Sequence, residues 1–102
     1  MIKMDPDQIK IFGIPWYRKK DWKKLRRVFQ DAHLLDDRWD EWLEKAERIF
    51  QERKRSGAFV VKVYIDPTDF PEWCAQRGLD IDARARMDFA GEIAMREYRN
   101  RD

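Results

Sequence analysis

Between Asp37 and Asp66 the hydrophobic pattern changes period across a single glycine. Trp39, Trp42, Leu43, Ala46, Ile49 and Phe50 recur at steps of three and four residues, the spacing of one helical stripe. Beyond Gly57 the run Phe59-Val60-Val61-Lys62-Val63-Tyr64-Ile65 alternates with a period of two. This predicts a helix that ends at Ser56, with Gly57 in the left-handed closing position, followed directly by a strand. Trp42, Ile49 and Phe50 are expected to face the side of the strand formed by Phe59, Val61, Val63 and Ile65.

The same reading extends along the chain. Asp21 is the expected N-cap of a first helix from Trp22 to about Leu34, with an apolar stripe of Trp22, Leu25, Val28, Phe29 and Ala32. Asp69-Phe70-Pro71-Glu72 has the form of a capping box and opens a short helix that stops at Gly78. A last helix starts near Asp80 or Asp82 and runs towards Tyr98, with a stripe of Ala83, Met87, Ala90, Ala94 and Tyr98. Its alanines permit a close approach to another helix, and Gly91 beside them has no evident role. Ile9 to Phe12 reads equally as a strand or as the end of a helical turn over residues 6–12, while Pro15 makes Ile14 extended. Residues 1–8 read as a loose lead-in. The expected fold is a small α+β domain spanning 1–102: helix, helix, strand, helix, helix, with an N-terminal strand as the open alternative and the helices on one face of a minimal sheet.

Composition narrows the class. Charged residues make up 41% of the 102 positions, against roughly 25% in ordinary domains, so the surface is ionic and the apolar residues lie in narrow stripes. No apolar run approaches the ~18 residues of a membrane span. The single cysteine, Cys74, excludes an internal disulfide or a Cys-rich zinc cage and makes a reducing cytosol the expected setting. Net charge is only +2, yet Arg18 to Arg27 holds seven cations against one acid, Asp21. Cations at the start of a helix are not what its dipole favours.

The stretch Trp16, Tyr17, Arg18, Lys19, Lys20, Lys23, Lys24 and Arg27, with Trp22 inside it, is the candidate interaction surface. Cations bind phosphates and aromatics stack on unpaired bases, so nucleic acid is one partner to consider. The alternative is that the tryptophans are core and the lysines solvate one face. For catalysis the inventory is short: His33, Ser56, Thr68 and Cys74 are the only residues of their types. Asp66, Asp69 and Glu72 cluster where a strand ends and a helix begins, a position that can hold Mg²⁺, but capping already accounts for them. An enzyme or ligand site near Asp66, His33 and Cys74 is therefore the weaker alternative. The glycines stand too far apart for a phosphate loop, and no cofactor or metal is expected.

Phe12-Gly13-Ile14-Pro15-Trp16-Tyr17-Arg18, Glu41-Trp42-Leu43 with Ala46-Glu47, Asp66-Pro67 with Trp73-Cys74, and Ala85-Arg86 before Phe89-Ala90 together resemble small uncharacterised bacterial proteins of about this length. The resemblance runs from Phe12 to the end and implies a bacterial, cytoplasmic protein with no assigned site. The expected role is that of an accessory protein acting through a surface. It is expected to be homodimeric, because Ile9 to Phe12 can satisfy at most one edge of the strand around Val61, and the other edge, or the alanine-lined last helix, would meet a second copy.

Overall fold

A computed structural model describes residues 9–101, so the lead-in at residues 1–8 lies outside the described residues. The elements run β1 (Ile11–Trp16), α1 (Trp22–Val28), α2 (Trp39–Arg55), β2 (Phe59–Tyr64), α3 (Asp69–Gln76) and α4 (Ala83–Asn100), with single 3-10 turns at Lys19–Asp21 and Ala32–Leu34. The fold is α+β, with four helices around a two-stranded parallel sheet among the described residues. The N-terminal strand is present: β1 pairs with β2 from Ile11↔Phe59 to Trp16↔Tyr64. The strand around Val61 therefore has a partner within the chain on one edge, and its other edge pairs with no strand among the described residues.

Helices cover both faces of this sheet, not one. In a strand, neighbouring side chains point to opposite sides, so Phe12, Ile14, Trp16 and Lys62 share one face while Gly13, Val61 and Val63 share the other. On the first face, α2 packs Trp42 and Phe50 edge-on against Trp16. The Lys62 ammonium lies 4.4 Å over the Trp16 ring and 3.1 Å from a Glu47 carboxylate oxygen, which accounts for a charge halfway along a covered strand. The second face carries α4, with Tyr98 edge-on to Phe59. The expected contact of α2 with Phe59, Val61 and Val63 is thus corrected. α2 lies on the Lys62 side, and Ile49 is 43% exposed.

The α4 stripe is also rotated from its expected setting. Ala85, Arg86, Ala90 and Ala94 are buried, whereas Met87 is 59% exposed. Its alanines meet a strand and not a helix: the α4 backbone at Ala90 rests directly on Gly13 of β1. Gly13 is required there for closeness, since its φ is not positive. Gly91, one residue along, faces open space within the helix. Gly91→Ala is therefore expected to raise stability by about 0.5–1 kcal/mol, read as a higher urea midpoint with an unchanged slope.

Beyond the C-terminal ends of the strands lies the main core, where Tyr17, Trp22, Leu25, Phe29, Ile65, Phe70, Cys74 and Ala85 pack together. Phe70 meets Phe29 and Phe89 edge-on and Trp73 face-on, tying α3 to the end of α1 and to α4. Two helices end in the expected glycines. Gly57 and Gly78 have φ of 91° and 65°, and the amide of each glycine and of the residue after it donates back to carbonyls of the last turn. α1 is shorter than its stripe implies. The chain turns extended at Phe29, and the Gln30 amide donates to the Ile81 carbonyl instead of continuing the helix. His33 consequently sits exposed in a separate 3-10 turn and not in the last turn of α1. The N-cap of α3 is Thr68, and the Asp66 side chain before it accepts from the Thr68 and Asp69 amides, in place of the expected capping box.

Candidate functional site

In a parallel pair each strand turns alternate residues towards its neighbour. The Phe59 amide donates to the Lys10 carbonyl and the Ile65 amide to the Trp16 carbonyl, so the even-numbered residues of β1 bond to β2. Ile11, Gly13 and Pro15 then direct their backbone groups to the outer edge. Pro15 is tolerated because its missing amide lies on that edge, a common way to blunt an open strand.

That edge forms the floor of a slot between α2 and α4. One cavity of about 250 Å³ is lined by Ile14, Pro15, Tyr17, Trp42, Ile49 and Met87, among others. A second, of about 240 Å³, shares Ile14, Pro15, Ile49 and Met87 and continues past Phe12, Gly13 and Arg53. The two are one continuous feature: a strand edge flanked by an exposed isoleucine on one helix and an exposed methionine on the other. Arg53 lies 4.2 Å over the Phe12 ring and makes no ion pair among the described residues.

The polar end of the slot is fixed by paired charges. Arg86, 5% exposed, donates twice to Asp31, at 2.8 and 2.9 Å, and stacks 4.2 Å over Phe29. Hydrogen bonds from Arg86 hold the Asp31 carboxyl below its usual range, ahead of the opposing effect of burial. Burial pushes the neighbouring Tyr17 phenol up, so it stays protonated at neutral pH. Lys45 pairs with Asp36 at 2.6 Å across the rim. Sequence reasoning missed Arg86, which stands in a run of alternating arginines. The available signal was its place four residues before Ala90, on the inward line of α4.

The basic stretch divides in two. Trp16, Tyr17 and Trp22 are buried, so they belong to the core and are closed to stacking; this corrects Trp16 and Tyr17 as surface residues. Arg18, Lys19, Lys20, Lys23, Lys24 and Arg27 are exposed, and none makes an ion pair among the described residues. Arg18 lies 4.2 Å over Tyr64, which places this face beside the C-terminal end of β2.

The residues considered for catalysis do not meet in an open site. Cys74 is fully buried, with burial pushing its thiol up, and His33 is exposed. The Asp66 carboxyl is held low by the Asp69 and Thr68 amides. Among the described residues no group of three His, Cys, Asp or Glu side chains could hold a metal ion.

A family model described as "Domain of unknown function (DUF8829)" matches residues 16–100. The chain belongs to this family. The DUF8829 match takes in both walls of the slot, with Ile49, Arg53, Arg86 and Met87, and begins at the last residue of β1. It agrees with the resemblance to an uncharacterised family. No curated protein and no solved structure matches the chain. No helix among the described residues is long and apolar enough to cross a membrane.

Proposed function

We propose that this DUF8829 protein is an interaction protein that docks a partner in the slot along the outer edge of β1. One observation carries the reading: a strand edge unpaired among the described residues lies between two apolar side chains, Ile49 and Met87, exposed by 43% and 59%. An edge of this kind offers main-chain donors and acceptors to another chain, and pockets beside it select side chains. A cytoplasmic setting suits the free thiol of Cys74. A benzophenone side chain placed at Met87 should give one discrete crosslinked adduct in cells, and the Ile49→Asp change should abolish it. The same group at Leu79, 39% exposed and lining neither cavity, should not. Equal crosslinking from both positions would end this reading.

A second reading rests on the basic face. Six exposed cations without carboxylate partners among the described residues favour a polyanion, held through its phosphates and not by base stacking, since the aromatics are enclosed. Replacing Lys23 and Lys24 by glutamine should weaken oligonucleotide binding across sequences and flatten its salt slope by about 0.9 for each phosphate left without its cation. Absence of any oligonucleotide retention by the unaltered protein at low salt would remove it.

A further inference from the structure

We propose that the slot takes, as a third strand beside β1, an extended segment of a partner protein in which an apolar residue is followed two positions later by a carboxylate. This rests on the slot being the docking surface and adds the chemistry of its occupant. Ile11 and Gly13 each present an amide and a carbonyl to the outer edge, and Pro15 presents a carbonyl alone. The guest strand therefore donates to Pro15 and receives nothing back, while its bonds opposite Gly13 and Ile11 are complete.

The wall formed by α2 sets the side-chain pattern. Ile49 and Arg53 stand one helical turn apart, about 6 Å along the axis, which matches the roughly 6.7 Å between alternate residues of a strand. A guest side chain against Ile49 is apolar, and the next one on that face reaches Arg53. The Arg53 guanidinium is held over Phe12, lacks a carboxylate among the described residues, and borders the cavity. The one carboxylate among the described residues that line either cavity, Asp36, is already paired with Lys45. The charge left to be met is therefore positive. Because α2 leads through Gly57 into β2, it runs antiparallel to both strands, with Ile49 above Arg53. Antiparallel pairing is the more stable ladder, and a guest antiparallel to β1 passes Ile49 first, so the motif reads apolar, apolar, acid, with the middle side chain turned to Met87.

A second copy of this chain is a poorer occupant. α4 lies mainly over β1, and its backbone touches Gly13. Pairing two β1 edges at the usual strand spacing of about 4.8 Å would crowd two α4 helices that need roughly 8–10 Å between axes.

Selection from a phage-displayed library of random octapeptides tests this directly. Enriched peptides should carry the apolar, apolar, acid triplet and shift the Ile11 and Gly13 amide signals in NMR spectra. Arg53→Glu should weaken them about fivefold to tenfold, and lysine in place of their acid should restore binding to that variant. Enriched peptides that lose binding with Ile49→Asp and Met87→Asp yet ignore Arg53→Glu would overturn the acidic motif and leave the slot standing. Peptides indifferent to all three changes, or no enrichment, would overturn the motif together with the slot. A dimer that dissociates on Ile49→Asp would show the occupant to be a second copy, which also overturns it.

Discussion

Alanine in place of Gly13 is expected to lower the melting temperature by more than about 12 °C, the equivalent of at least ~3 kcal/mol in a domain of this size. A Cβ atom at that position would overlap the carbonyl of Ala90 and stand 3.1 Å from the Ala94 Cβ. The obstacle is helix backbone and cannot rotate aside as a side chain would. Relief requires lifting α4 from β1, which opens the contact that Ala90 and Ala94, both 0% exposed, close. Ordinary overpacking costs about 1–3 kcal/mol because neighbours shift a little; a backbone obstacle puts this change at or beyond that range. The paired measurement is Gly91→Ala, one residue from the contact, where the same methyl meets nothing within 4 Å and the sign reverses. Thermal unfolding followed by circular dichroism on both variants checks the pair. Equal and small shifts would mean that α4 does not rest on β1 as described.

Gly13 also shows why part of the fold is hard to read from sequence. Elements with a sustained period are legible: α2 from its tryptophan stripe, β2 from its alternation, and the closing glycines Gly57 and Gly78 from their places after those patterns. β1 is legible only in part, because Gly13 and Pro15 are residues that weaken strands. Each is allowed by a neighbour that the sequence does not place, α4 over Gly13 and the unpaired edge beside Pro15. α1 falls short of its expected length for a similar reason. Phe29 and Ala32 continue its stripe, but the Gln30 amide finds a tertiary acceptor at Ile81. The break also positions Asp31 for Arg86, 55 residues away.

The candidate site is less legible than the fold. The aromatics in the basic stretch read as stacking platforms, yet Trp16 and Tyr17 are 4% exposed. Alternation explains Trp16, which shares a face with Lys62, but which face α2 covers depends on the pairing of β1 with β2. Ile49 reads as core because it fits the α2 stripe. Its position on the flank of that stripe puts it at the slot rim, a distinction of tens of degrees that a helical period does not resolve.

Breaking the Asp31–Arg86 pair is the second large effect. Asp31→Ala leaves a guanidinium 5% exposed with no carboxylate, and removal of one partner from a buried pair costs about 3–5 kcal/mol. The pair itself contributes less than that, since each ion also gives up its hydration. Asp31→Ala combined with Arg86→Met should therefore be more stable than Asp31→Ala alone, even though it changes twice as many residues. Acidity gives an independent check. Because the folded carboxyl is held below the unfolded value of 3.8, the stabilisation from Asp31 is complete above that value and is lost as the pH falls through the folded pKa. Urea midpoints of the unaltered protein should thus fall more steeply below about pH 4 than those of Asp31→Ala. Parallel pH profiles for the two proteins would mean that Asp31 does not hold Arg86, and the polar end of the slot would need another anchor.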